Sequence, residues 1–83
     1  MGDRLITAFQ ARAGFDCQHE AGAGFGYFAA YHHSLGLSTL WIPERHADAI
    51  ADLVEAYDGD AAALIVQCAM LIRERSDVHS HAQ

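Results

Sequence analysis

Residues 25–43 read Phe-Gly-Tyr-Phe-Ala-Ala-Tyr-His-His-Ser-Leu-Gly-Leu-Ser-Thr-Leu-Trp-Ile-Pro, and this stretch decides the fold. From Phe25 to His32, Tyr27, Ala29 and Tyr31 fall on one side and Phe28 and Ala30 on the other, the two-residue period of a strand. Ser34-Leu35-Gly36 supplies a turn, and Leu37 to Ile42 makes a further strand. Pro43 marks the change to helix. It cannot donate a ladder hydrogen bond, yet its fixed φ suits a first helical turn.

Toward the N-terminus, Ala21-Gly22-Ala23-Gly24 is a flexible turn. Phe15-Asp16-Cys17-Gln18-His19 alternates apolar and polar residues, which predicts a first strand. The three strands form an antiparallel meander, and such a sheet needs a helix layer over one face. Asp3 to Ala13 fits a short helix, with Asp3 as N-cap, Leu5, Ile6 and Phe9 at helical spacing and Gly14 as the stop. The same run also fits a strand.

Toward the C-terminus, Glu44 stands where an anion meets a helix dipole favourably. A second helix is expected to run to about Asp58 and to stop at Gly59. Its apolar stripe is Ala47, Ile50, Ala51, Val54 and Tyr57, with Leu53 beside it. Asp60 then caps a third helix, Ala61 to about Ser76. Leu64, Ile65, Cys68, Leu71 and Ile72 form one face of it. Val66, Ala69 and Met70 lie off that face, so a homodimer contact through 61–76 is as natural as a core. Residues 78–83 read as a frayed tail. The expectation is one α+β domain over 1–83: a short N-terminal helix, a three-stranded antiparallel sheet and two C-terminal helices packed on it.

The 83 residues are 52% hydrophobic and 19% charged, a folding composition rather than a disordered one. At this size the core is thin, so self-association or a partner would add stability. The formal charge is −6, from 11 acids against 5 bases, and every base is arginine. Lys and Asn are absent and Ala occurs 16 times, a usage that fits a GC-rich bacterial or phage genome. An acidic chain is a poor binder of phosphates, so no direct nucleic-acid contact is expected, and a basic partner suits it better. The longest apolar run, Ala61 to Ile72, is too short to span a bilayer. Met1-Gly2-Asp3-Arg4-Leu5-Ile6 lacks the basic-then-apolar order of a secretory leader. The expected place is the cytoplasm of a bacterial host, with Cys17 and Cys68 as free thiols.

The acidic charge is concentrated. Residues 44–60 hold Glu44, Asp48, Asp52, Glu55, Asp58 and Asp60 against Arg45 alone. Glu44, Asp48, Asp52 and Glu55 follow steps of four, four and three and so line one helix face. With Asp58 they make a candidate surface for an arginine-rich partner. The same pattern also describes the solvated back of an amphipathic helix.

Six histidines offer a second candidate. If the first two strands pair, Cys17, His19 and His32 approach one another as zinc ligands, with His33 adjacent. No pair has the usual ligand spacing, and His79-Ser80-His81 binds metal only adventitiously. No cofactor is expected. Gly22-Ala23-Gly24-Phe25-Gly26 lacks the Gly-Lys-Ser/Thr of a phosphate loop and reads as a hairpin turn. Neither Ser34 beside His32-His33 nor Cys17 near His19 has the orienting partners of a nucleophile, so no enzymatic activity is expected. The aromatics Phe25, Tyr27, Phe28, Tyr31 and Trp41 have no interleaved bases and read as core packing.

A small, acidic, lysine-free single domain without a catalytic motif resembles, in kind, the inhibitors of host defence encoded by phages and mobile elements, the anti-CRISPR proteins above all. The resemblance carries no shared motif. It implies a non-enzymatic inhibitor that binds a host nucleic-acid-handling complex, such as a CRISPR effector subunit, with the acidic helix face blocking a basic surface. The alternatives are a homodimeric interaction module and a small zinc protein built on Cys17, His19 and His32.

Overall fold

A computed structural model describes residues 3–21 and 24–81, and for residue 3 and residues 77–81 it describes the backbone. The elements are α1 (Asp3–Gln10), β1 (Phe15–Glu20), β2 (Gly26–His33), β3 (Gly36–Pro43), a 3-10 turn (Glu44–His46), α2 (Ala47–Ala56) and α3 (Ala61–His81). The expected α+β order is the order observed.

The meander pairs β1-β2-β3, antiparallel throughout. Its register places Phe15 opposite Tyr31 and Cys17 opposite Ala29, and then Tyr27 opposite Ile42 and Ala29 opposite Leu40. These residues share one face. Phe15, Cys17, Tyr27, Ala29 and Ile42 form a single core with Leu5 and Phe9 of α1, Ile50 and Val54 of α2, and Leu64 and Cys68 of α3. All three helices therefore cover the same side of the sheet, which gives two layers. A ladder of rings ties α1 to the sheet: Phe9 to Phe15 at 5.9 Å and Phe15 to Tyr31 at 4.4 Å between centroids.

The element ends differ from expectation for local reasons. α1 stops at Gln10, three residues before Ala13, and a short turn closes it with Arg12 N–H donating to the Phe9 carbonyl at 3.0 Å. Gly14 follows with φ +83°, a conformation that favours glycine, and a Cβ there would sit 3.1 Å from the Tyr31 ring. Pro43 ends β3 in extended geometry, φ −57° and ψ 144°, and the helix begins after it. α2 ends at Ala56 rather than Asp58, because Tyr57 turns extended at φ −68° and ψ 129°. The Tyr57 ring then folds over Gly59, where a Cβ would lie 2.6 Å from its hydroxyl oxygen. That hydroxyl donates to the Asp60 carbonyl at 3.0 Å, which also accepts the Ala63 N–H.

α3 runs to His81, five residues past Ser76, since no glycine or proline interrupts residues 77–81. The segment expected as a tail is thus helical over residues 78–81. The Gly22-Ala23 turn and residues 82–83 lie outside the described residues, as does the Asp3 side-chain cap.

Candidate functional site

The acidic residues sit where the helical spacing puts them. α2 turns Ala47, Ile50, Ala51 and Val54 into the core, which leaves Asp48, Asp52 and Glu55 exposed on its outer side. Glu44, in the 3-10 turn, and Asp58, after α2, are exposed at either end of this ridge. The ridge is not a row of equal charges, because α1 lays Arg4 across it. Arg4 Nη2 lies 2.5 Å from Asp52 Oδ1 and 2.7 Å from Glu55 Oε1, while Nε donates to Glu55 Oε2 at 3.0 Å. The pairing holds the Glu55 carboxyl below the usual carboxylate range and the guanidinium firmly protonated. At the other end Glu44 Oε2 is 4.0 Å from His19 Nε2. Among the described residues no cation lies against Asp48 or Asp58.

Arg12, in the turn after α1, is also used internally. It donates to the Val54 carbonyl, Nη2 at 2.9 Å and Nε at 3.2 Å, and to the Tyr57 carbonyl, so it caps the C-terminus of α2. Its guanidinium carbon stands 5.6 Å from the Tyr57 ring centroid. Two of the five arginines thus hold α1 to the ridge helix.

The proposed zinc ligands do not converge. Cys17 faces the core and His19 lies on the same face, stacked on Phe25 and tilted against Tyr27. His32 lies on the opposite face, 3.3 Å from Asp16 Oδ2. His33 faces inward again. Its Nδ1 accepts the Leu35 N–H at 3.3 Å, so its Nε2 donates to Ser38 Oγ at 3.0 Å. Among the described residues no group of three or more His, Cys, Asp or Glu side chains is placed to hold a metal ion. The side chains of His79 and His81 lie outside them. Burial pushes the Cys17 thiol up to about 11 and Cys68 to about 12, so neither is a thiolate at neutral pH.

Among the described residues a shallow groove of about 390 Å³ lies between α1 and α2, lined by Ala8, Ala11, Arg12, Val54 and Glu55. Its charged groups are already engaged, Arg12 on backbone carbonyls and Glu55 on Arg4. No described helix is long and apolar enough to cross a membrane.

Two further features lie outside the sites expected from the sequence. The first is the outer sheet face, which no described element covers. The register aligns Gln18, Phe28 and Trp41 across it, with Asp16 and Glu20 along β1 and Leu37 on β3. Phe28 and Trp41 are 37% and 40% exposed, so these two aromatics are surface rather than core. Trp41 lies against Gly26, where a Cβ would meet its ring at 2.5 Å. This face is on the opposite side of the molecule from the ridge.

The second is His46, just before α2, which is 4% exposed. Arg75 Nε of α3 donates to its Nδ1 at 3.0 Å, which leaves a buried Nε2–H with no acceptor among the described residues. Burial, then repulsion from Arg45 and Arg75, lowers its pKa.

Comparison of the chain with protein-family models, with curated proteins and with solved structures found no match.

Proposed function

We propose that this protein is a non-enzymatic inhibitor of the anti-CRISPR kind, which binds a basic surface of a host nucleic-acid-handling complex through the α2 ridge. The observation that carries this reading is the ridge itself. Glu44, Asp48, Asp52, Glu55 and Asp58 are all exposed along one helix and its ends, and α1 fixes two of them in place with Arg4. Carboxylates held in a set geometry lose less side-chain freedom on meeting an arginine-rich surface. The open carboxylates, Asp48 above all, supply long-range attraction to a surface that otherwise holds phosphates. The thiols support the non-enzymatic part of the reading, because both are buried and protonated.

The test is capture from nuclease-treated lysate of a GC-rich bacterial host carrying CRISPR systems, with wild type beside Glu44→Arg/Asp48→Arg. Both positions are exposed, so the variant keeps the fold. The expected result is a basic, nucleic-acid-binding effector retained by wild type, lost by the variant, and released as salt rises toward about 1 M. Equal retention by both proteins overturns the assignment to the ridge. So does loss caused by Trp41→Ser alone, which would move the contact to the opposite side.

A further inference from the structure

We infer that β3 pairs antiparallel with β3 of a second copy of this chain, about a two-fold axis at Thr39, so that the two meanders join into one continuous sheet. This inference is independent of the ridge. The strand order leaves β1 and β3 each with one free edge among the described elements. Glu44 N–H donates to the Phe25 carbonyl at 3.2 Å, one step beyond the Gly26–Pro43 pair. Bonds in an antiparallel ladder alternate, so Gly36, Ser38, Leu40 and Ile42 bond to β2, while Leu37, Thr39 and Trp41 aim their N–H and C=O groups away from it. None of those groups has a hydrogen-bond partner among the described residues. Such a row is a template for another strand.

The β1 edge is guarded and the β3 edge is not. His32 N–H donates to the Gly14 carbonyl at 2.8 Å, so by the same alternation Phe15, Cys17 and His19 face outward on β1. The Phe15 N–H is already held by the Arg12 carbonyl at 3.2 Å, and Asp16 and Glu20 flank the rest with negative charge. On β3 no charged residue occurs from Gly36 to Ile42, the pairing with β2 runs without a bulge, and the one proline stands at the last position. The Trp41 ring leans toward Gly26 of β2, away from this edge.

Self-complementarity selects a second copy as the occupant. With Thr39 opposite Thr39, Leu37 of each copy stands opposite Trp41 of the other, and every outward N–H of these residues meets an outward C=O. A shift of two residues one way sets the Leu37 carbonyl against Pro43, which has no N–H. A shift the other way runs Trp41 into the Ser34-Leu35 turn. On the outer face the chosen register pairs Thr with Thr and Leu with Trp, combinations that stabilise a sheet. Charge does not oppose it. The strand order β1-β2-β3-β3-β2-β1 sends Asp16 and Glu20 to the outermost strands, about 24 Å from their counterparts and beyond the screening length. Each Glu44 falls opposite the other copy's Ser34. α3, which packs on β3 and β2, balances Glu74 and Asp77 with Arg73 and Arg75. One strand pair is a small contact and gives a weak dimer, with Kd on the order of 10–100 µM.

Sedimentation velocity on the purified chain tests the pairing, from about 1 µM to about 1 mM to bracket that Kd. The apparent mass should rise from 9.0 kDa toward twice that value. Thr39→Pro removes an N–H that β2 does not use, so it should stay folded by circular dichroism and monomeric. Thr39→Lys sets two cations face to face on the axis and should weaken the dimer about tenfold or more. Thr39→Cys places two thiols on that axis with Cα atoms about 5.5 Å apart, within disulfide reach, whereas Leu37→Cys holds them about 13 Å apart. In glutathione buffer the first should cross-link about tenfold faster than the second or more, with the buried Cys17 and Cys68 taking no part. Three results overturn the inference: a monomer across the whole range, a dimer that either folded Thr39→Pro or folded Thr39→Lys leaves intact, or cross-linking no faster at position 39 than at position 37.

Discussion

Arg4 grips Glu55 with two parallel hydrogen bonds, Nε to Oε2 at 3.0 Å and Nη2 to Oε1 at 2.7 Å, and so joins the first helix to the acidic ridge of the second. The side chains are solvent-accessible, so the bond orders the carboxylates more than it stabilises the fold. Arg4→Gln should lower Tm slightly in low salt, and the difference should vanish near 1 M salt. The Glu55 carboxyl should titrate closer to its ordinary value of 4.5. Stability contributed by a depressed carboxyl is present above that value and lost as pH falls through the folded one. A Tm difference that salt does not change would show that Arg4 acts by packing instead.

Arg12 makes the deeper contact. Its fork caps the Val54 carbonyl and lies over Tyr57 while half-buried. Replacement by Met keeps much of the stem but orphans the last carbonyls of α2, at a cost of about 2–3 kcal/mol. Lys should recover less than half of that, since one ammonium cannot reproduce the planar fork. Urea unfolding measures both variants, and a loss under about 0.5 kcal/mol for Arg12→Met would contradict the capping role.

His46 makes stability depend on pH. The unfolded chain takes up a proton near 6.5, whereas the buried ring beside Arg75 refuses it until lower pH. The unfolded state therefore binds more protons in that window, and stability falls as pH drops below about 6.5. Unfolding free energy followed from pH 7 downward should show a slope that His46→Gln reduces by up to about one proton. Identical slopes would mean that His46 takes up its proton over the same pH range in the folded and unfolded chain, and would contradict the lowered value.

Gly26 leaves room for the Trp41 ring on the outer sheet face. A Cβ there would approach the indole at 2.5 Å and the Ile42 carbonyl oxygen at 2.7 Å. Gly26→Ala should cost about 1–3 kcal/mol and shift the fluorescence of the single tryptophan as the ring is displaced. An unchanged emission spectrum with unchanged stability would contradict this placement.

The alternation in Phe25–His32 and Leu37–Ile42, with the stop at Pro43, was enough to read the meander and the helices after it. The buried face of the sheet was harder to assign. β2 carries apolar residues on both sides, so Phe28 and Trp41 read as core until the register put Cys17, Ala29 and Leu40 together on the helix side. The same register sends His32 to the face of Asp16 and separates it from Cys17, which a two-residue period alone cannot reveal. The acidic stripe was legible because helical spacing is local. Its clamp was not, because Arg4 precedes Glu55 by 51 positions and nothing in either neighbourhood marks the pairing. His46 stands in the first turn after Pro43, where nothing local marks it as buried, and its burial depends on α3 arriving from 29 positions away.

On the proposed function, the α2 ridge occupies a surface that otherwise holds nucleic acid. The most direct measurement is target-DNA binding by the captured, guide-loaded effector, titrated with this protein and with Glu44→Arg/Asp48→Arg. Wild type should displace DNA, and the variant should need about tenfold more protein or greater, since two exposed carboxylates have become cations. DNA binding that neither protein disturbs, or that both disturb equally, would contradict it.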